Sequence, residues 1–331
     1  MWRALSYYLL SGLNEEASRD EVRALLGLSD PGAKLTCYSG LCIAEHESAG
    51  LALASARLVL RRAAFVKEAG LASKVLALDD PWDRELHDVD AQDATWIEVS
   101  NVRSSAPEGL VTKLARQLES KLGLPTTYRP GRPLRAIVTG EAAVIGRRLI
   151  EGRLKFGAKA FDTSVSLPWE LATFMLNIAG VREGDVILDP FVGTGTILLV
   201  AWAFGAVGLG ADISERMIEG FALNMGQVGL PGVAVLGDST TLSYAGASKI
   251  VTNPPYGKAL SAIDEEKIYE GFLARASEGL RRGGTVVFVA PHWLDFKVDD
   301  IAARECFVVK GKYYFYVNSG LTRVIYWVER P

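Results

Sequence analysis

The tetrapeptide Asn253-Pro254-Pro255-Tyr256 is the part of this 331-residue sequence whose residue types most narrowly define a chemistry. It closes the apolar run SKIVTN, which predicts a strand, and Gly257 follows it. An exocyclic amine of guanine or adenine is a poor nucleophile, because its lone pair is delocalised into the ring. The Asn253 side-chain oxygen and the Pro254 carbonyl together suit its two N–H groups, and holding both turns the lone pair outward. Proline rings keep that carbonyl still, and Tyr256 offers a face on which a base extracted from its helix can stack. Asn253, Pro254, Pro255 and Tyr256 are therefore the candidate catalytic residues. The plainer alternative is a strand-ending Pro-Pro turn beside a core tyrosine.

A second group lies upstream, in VILDPFVGTGTILLVAWAF. This stretch runs from an apolar strand through a turn with Gly193 and Gly195 into a helix, so backbone amides and a helix start face any ligand bound there. It is not the dinucleotide fingerprint, because Leu198 stands where a third glycine is needed, and no Gly-Lys-Ser/Thr follows to make a P-loop. The next strand ends in Asp212, about 20 residues on, where a carboxylate meets ribose hydroxyls in nucleoside-binding sheets. A third ends in Asp238, whose side chain or the following Ser239 amide is placed to read a base. Strands ending in Asp189, Asp212 and Asp238 would line one crevice with acceptors; singly, each reads as an ordinary strand-end or capping aspartate.

The elements that must hold these groups are α/β. From about residue 166 strands alternate with helices (Val186 to Leu188, Thr196 to Phe204, Ala206 to Ala211, Ser214 to Met225), which predicts a parallel, doubly wound, Rossmann-like sheet. Before it come a strand at Ala4 to Leu10, a helix from Asn14 to Leu26, short paired strands within Lys34 to His46, and a helix from Ser48 to Ala69. After the acidic stretch Asp79 to Asp93 follow a strand (Thr95 to Val99), a helix (Glu108 to Leu122) and two strands (Leu134 to Thr139, Ala142 to Arg147). The expected organisation is two small α+β domains, 1–78 and 79–154, a linker, 155–165, and the Rossmann-like domain, 166–331.

Composition narrows the classes. Hydrophobic residues at 49% and charged residues at 23% suit a folded soluble protein, and no apolar run approaches the roughly 20 residues of a membrane span. The N-terminus lacks a signal-peptide cleavage pattern, so a cytoplasmic location is expected. Cys37, Cys42 and Cys306 make no CxxC pair, and the three histidines are scattered. They read as free buried thiols and unrelated imidazoles, with no metal site. The formal net charge of -3 leaves nucleic-acid binding to a local surface. Arg129 to Lys159 supplies one, with eight basic residues against Glu141 and Glu151.

With DPFVGTGT, Asp212, Asp238 and NPPYG in this order, the C-terminal half resembles class I S-adenosylmethionine-dependent methyltransferases of the amino-group type. The whole chain resembles the archaeal THUMP-containing tRNA guanosine N2-methyltransferases, through YYLLSGLNEEASRDEVRALL, TGEAAVIGRRL and SGLTRVIYWV. SVSLPWELATFMLNIAGV is similar to the family's helix over the methionine moiety. The resemblance implies a ferredoxin-like N-terminal domain, a THUMP domain gripping the tRNA acceptor end, and methylation of guanosine at position 10. It implies S-adenosylmethionine contacts from Ser166, Asp189, Phe191, Gly193, Thr194, Gly195, Thr196, Asp212, Ile213, Asp238, Ser239 and Asn253. The implied RNA contacts are Arg132, Arg135, Arg147, Arg148, Arg153 and Lys155. The position-10 enzymes commonly carry aspartate at the place of Asn253 and cysteine at that of Val192. The asparagine form is more like the sister enzymes acting at position 6. Position and the number of methyl groups stay open, as do adenine N6 or cytosine N4 of DNA, rRNA, and a vestigial RNA-binding module. The expected partner is tRNA, with no membrane and no metal; a monomer is the working expectation, the sequence itself giving no oligomeric state.

Overall fold

A computed structural model of the chain describes residues 4–77, 86–102, 106–107, 109–230, 232–257 and 262–331, with residues 87 and 262–264 described by backbone alone. Much of the acidic stretch from Asp79 and the expected helix start at Glu108 lie outside these. The chain divides into two compact units, Met1–Arg153 and Leu154–Pro331.

The first unit is built on one seven-stranded sheet in the order β2-β3-β1-β4-β7-β6-β5. Its strands are β1 (Ala4–Leu10), β2 (Lys34–Tyr38), β3 (Leu41–His46), β4 (Val66–Ala77), β5 (Ala94–Asn101), β6 (Arg132–Val138) and β7 (Ala142–Arg148). The helices are α1 (Glu15–Ser29), α2 (Ala49–Arg62) and α3 (Leu110–Leu122). Asn14 caps α1 by accepting the Ala17 amide at 3.0 Å, and Ser48 caps α2 through Leu51 at 3.3 Å. Three buried clusters sit against the sheet among the described residues. One joins α1 and α2 to β1 and β4 through Tyr8, Val22, Leu25 and Val59, a second joins α3 to β5, β6 and β7 through Leu114, Leu118, Ile97 and Ile145, and a third joins Tyr7, Leu41 and Ile43 to Val102, Ile137 and Val144.

Two expectations are corrected here. The helix expected to run to Ala69 ends at Arg62, because the buried carboxylate of Glu21 accepts the amides of Ala64 and Phe65, both at 2.8 Å, and the chain turns into β4. Alanine-rich sequence there is locally ambiguous, and strand pairing on both sides of β4 decides it. Cys37 and Cys42 are joined as a disulfide, not free: the hairpin register sets them face to face with Cα atoms 4.1 Å apart. The remaining thiol, Cys306, is exposed.

The second unit carries a seven-stranded sheet ordered β10-β9-β8-β11-β12-β14-β13. Its strands are β8 (Val186–Asp189), β9 (Val207–Asp212), β10 (Ala234–Leu236), β11 (Lys249–Thr252), β12 (Thr285–Pro291), β13 (Val308–Asn318) and β14 (Leu321–Glu329). The helices are α4 (Trp169–Ile178), α5 (Thr196–Ala203), α6 (Glu215–Gln227), α7 (Ala262–Gly279) and α8 (Asp295–Arg304). The first five strands in space, β10 to β12, are parallel, as the alternating pattern predicts. The last two are antiparallel, a correction to the wholly parallel reading. A connection of only Ser319 and Gly320 between β13 and β14 makes a hairpin and is far too short to cross over. Strand order reverses between β8 and β11, so a crevice opens at their carboxyl ends, where the glycine turn and Asn253 both lie.

Candidate active site

The glycine turn joins β8 to α5. Gly193 and Gly195 both hold the left-handed conformation, with φ of 51° and 82°. At Gly195 the requirement is doubled, because an added Cβ would stand 2.5 Å from the Phe221 ring. At Gly193 an added Cβ would meet nothing nearer than 3.9 Å, so the turn is open on that side. The helix α5 begins at Thr196, and its N-cap, Gly195, supplies no side-chain cap, which leaves its first amides available to an acceptor.

Asp212, at the end of β9, is tied into this turn. One carboxylate oxygen accepts the Gly193 amide at 3.0 Å and the other the Ser214 amide at 2.9 Å. Each oxygen keeps a further lone pair, enough for the paired hydroxyls of a ribose. Ile213 beside it is 74% exposed, an apolar face at the mouth of the crevice. Asp238 is exposed and accepts the Thr240 amide and hydroxyl at 2.9 and 2.8 Å. The Ser239 side chain is not available for base reading: it is buried and donates to the Pro190 carbonyl, which leaves its amide as the group near the crevice.

Two further expected contacts lie deeper. Asp189 is buried, accepting the Thr252 hydroxyl at 2.5 Å and the Phe191 amide at 3.2 Å. Burial, with Asp212 nearby, pushes its carboxyl up to about 7 despite those two bonds. Phe191 packs edge-on against Phe272, 5.8 Å between centroids, so its ring belongs to the core while its backbone shapes the turn. Thr194 and Thr196 are buried, and both hydroxyls accept from Lys159 Nζ at 2.8 Å. Ser166 Oγ lies 3.0 Å from Thr194 Oγ1.

At the end of β11 the situation is the opposite. Asn253 Oδ1 is buried and has no hydrogen-bond partner among the described residues. Buried polar atoms are nearly always paired, so an orphan acceptor beside an open crevice marks a place built for a donor from outside. Pro254 is buried and Pro255 exposed. The Tyr256 hydroxyl accepts from Arg323 Nε at 2.9 Å, which fixes the ring from β14. Glu265 on α7 is buried and receives the Gly257 amide at 2.6 Å and the Trp293 indole N–H at 2.9 Å, holding the turn after the tetrapeptide from behind. Sequence reasoning missed Thr252, Glu265, Trp293 and Arg323. Thr252 alone had a local signal, as the residue before Asn253; the other three are brought in by α7, the short helical turn His292–Leu294 after β12, and β14.

The basic residues fare unevenly. Arg135 is corrected: it is buried, with Nε and Nη2 on Glu68 at 2.9 and 3.1 Å and Nη1 3.1 Å from Glu98, so its guanidinium is a core ion pair and not a phosphate contact. The sheet is covered on both faces from Leu134 to Val138 of β6, so the guanidinium pairs with Glu68 across the sheet and does not reach solvent. Arg132 and Lys155 are exposed; Arg148 is exposed with a 3.6 Å contact to Glu68. Arg147 lies 3.5 Å from Asp90, and Arg153 donates to the Lys67 carbonyl at 2.5 Å. Lys159, counted above with the basic surface, has a side chain only 5% exposed and points at the glycine turn.

Comparisons with known proteins agree with this layout. Over 200 residues the chain is 37% identical to tRNA (guanine(10)-N2)-dimethyltransferase of Methanothermobacter thermautotrophicus, covering 59% of this chain and 58% of that protein. It is 32% identical over 205 residues to the enzyme of the same name from Pyrococcus abyssi, covering 58% of this chain and 60% of the relative. The match thus spans about six-tenths of the length of each. The crystal structure of TrmN from Thermus thermophilus aligns over 100% of both chains with a TM-score of 0.55 at 20% identity, a likeness of fold. Residues 157–325, about half of the chain and including the whole crevice described above, match the family described as UPF0020, RMKL-like, methyltransferase domain. The chain belongs to this methyltransferase-domain family.

Proposed function

We propose that the chain is an S-adenosylmethionine-dependent methyltransferase acting on the N2 amine of a guanosine in tRNA, at position 10. The observation that carries this is the buried, unpartnered Oδ1 of Asn253 at the carboxyl end of β11, opposite a glycine turn shaped for a nucleoside. The relatives named for guanine(10)-N2 chemistry support the substrate and the position.

The turn fits the cofactor on its own features: an open side at Gly193, spare lone pairs on Asp212 for ribose hydroxyls, the apolar Ile213 face beside it, and an uncapped helix start. S-adenosylmethionine supplies there an electrophilic methyl carried on sulfonium. Gly193, Thr194, Gly195 and Thr196 would cradle its amino-acid arm with Ser166, Asp212 would hold the ribose, and Asp238 and the Ser239 amide would read the adenine. Asp189 and Phe191 support the turn from below.

Asn253 Oδ1 and the Pro254 carbonyl each accept one N–H of the guanine amine, which turns its lone pair into the crevice. Tyr256, with its hydroxyl held by Arg323, stacks the base. An amide does not titrate, so the amine proton leaves to solvent after transfer, and no general base is required of Asn253.

The first unit is read as a ferredoxin-like half, 1–78, followed by a THUMP half, 79–154; a helix-packed core on each side supports this division, within one compact unit whose sheet and third core run across it. Arg132, Arg147, Arg148, Arg153 and, in the linker 155–165, Lys155 are the proposed phosphate contacts in a cytoplasmic, tRNA-binding enzyme. The test is incubation with unmodified tRNA transcript and labelled cofactor, followed by nucleoside digestion and mapping. N2-methyl- or N2,N2-dimethylguanosine at position 10 is expected. The same product at position 6 would follow Asn253 over the relatives, and transfer only to DNA or rRNA would overturn the tRNA reading.

A further inference from the structure

The segment before α4 is sewn across the glycine turn. Asn224 of α6 accepts the Phe161 amide at 2.8 Å and donates to the Phe161 and Thr194 carbonyls at 2.7 and 2.8 Å. Gln227 pairs with the backbone of Ala160 and Ala158 at 2.9 and 3.2 Å. From this strap Lys159 reaches inward, its ammonium 5.5 Å over the Trp169 ring, which itself stacks on Phe156 at 4.8 Å.

All three N–H bonds of the ammonium are used: two at 2.8 Å on the hydroxyls of Thr194 and Thr196, and one at 2.7 Å on Asp162. Lys159 therefore has no donor left for a ligand of its own, and its effect passes through the hydroxyls. A hydroxyl has one hydrogen and two lone pairs. Because a cation can only donate, Thr194 and Thr196 must accept from it and turn their own hydrogens away from it. Thr194 then donates toward Ser166, 3.0 Å off, and Ser166 pairs in turn with Asp162, Thr163 lying at 3.0 Å, so these two hydrogens are spent within the strap and the turn, while Thr196 keeps the hydrogen that faces away from the lysine. The chain of O–H groups is polarised away from the lysine at the uncapped start of α5. The Thr196 hydrogen, beside the uncapped amides of α5, is a donor suited to an anion.

Resting on the cofactor reading above, we propose that Lys159 is a positioning residue for the carboxylate of the cofactor's amino-acid arm, acting through Thr196, with Thr194 and Ser166 fixed by the same network. The adenosine part of the ligand lies outside its influence. This separates the role from a merely structural one, since a collapsed turn would lose both parts together.

The test compares two probes by calorimetry on the full chain: S-adenosylhomocysteine, which has the carboxylate, and methylthioadenosine, which lacks the amino-acid arm's charges. In Lys159→Met, affinity for S-adenosylhomocysteine should fall about tenfold to hundredfold while that for methylthioadenosine changes less than about threefold. Lys159→Arg should restore part of the loss. If Lys159→Met does not fold, Thr196→Val reads the same split. Equal losses for both probes, or no loss for either, would overturn the assignment. A wild-type chain that binds neither probe would instead overturn the cofactor reading and this inference with it.

Discussion

The two sides of the crevice are finished to different degrees. On the cofactor side the polar side chains are already engaged: Asp212 with two amides, Asp189 with Thr252, Thr194 and Thr196 with Lys159. On the substrate side Asn253 Oδ1 is buried without a partner, although the residues around it are clamped by Glu265 and Arg323. The first arrangement is rigid before any ligand arrives. The second keeps one acceptor unsatisfied in a rigid frame, and in the proposed function the donor completing it comes from the substrate. An acceptor already satisfied would have to surrender its partner first, and the differential gain on binding the amine would shrink.

The largest expected effect breaks the substrate side alone. Asn253→Ala should lower the single-turnover transfer rate by about 10²–10³-fold, the size seen when one preorganised polar group is lost from an active site. Calorimetric affinity for S-adenosylhomocysteine should stay within about twofold. Retention of a tenth or more of the rate would sink the role assigned to the orphan oxygen.

A medium effect tests how far the cofactor side is closed. Asp189 has its carboxyl pushed up to about 7 by burial, against an ordinary value near 3.8. Between these values the folded chain holds a proton that the unfolded chain has released. Its favourable contribution is therefore complete below the ordinary value and is lost as pH rises through about 7. Wild type should accordingly lose about 2–3 kcal/mol of ligand-free stability from this group between pH 5 and pH 8, at 1.36 kcal/mol per pH unit. Asp189→Asn should lack that decline in urea unfolding; parallel curves for the two proteins would show the carboxylate to be better solvated than its burial indicates.

The smallest effect sharpens the claim that the turn itself is preformed. Gly195→Ala places a Cβ against Phe221 in a backbone conformation with φ of 82°, and should cost about 1–3 kcal/mol of stability in the second unit. Cofactor affinity should fall with it, since the strained turn relaxes away from the bound shape. Unchanged affinity would mean the turn is formed by the ligand.

What could be read beforehand was local. The glycine turn, the strand-ending aspartates and Asn253-Pro254-Pro255-Tyr256 are contiguous motifs whose residue types carry their own geometry. Most strands and helices up to α6 followed from apolar periodicity with small shifts in their ends; β4 did not, its first residues reading as the end of a helix. The misreadings were long-range. Whether residues 63–69 continue a helix depended on Glu21, more than forty residues away in sequence, and on pairing with β1 and β7. That Cys37 meets Cys42 depended on hairpin register. Arg135 and Lys159 looked like members of one basic surface, and both turned out to be buried partners of acids and hydroxyls.

The sequence by itself determined that a glycine turn and the tetrapeptide Asn253-Pro254-Pro255-Tyr256 end two strands of an α/β sheet, because each motif is short and its backbone conformation is set by glycine and proline. Only the tertiary structure decided which charges are spent inside and which acceptor is left over. Burial and pairing are properties of groups that meet from distant parts of the chain, and a cation or a carbonyl oxygen carries no local sign of the partner it will find.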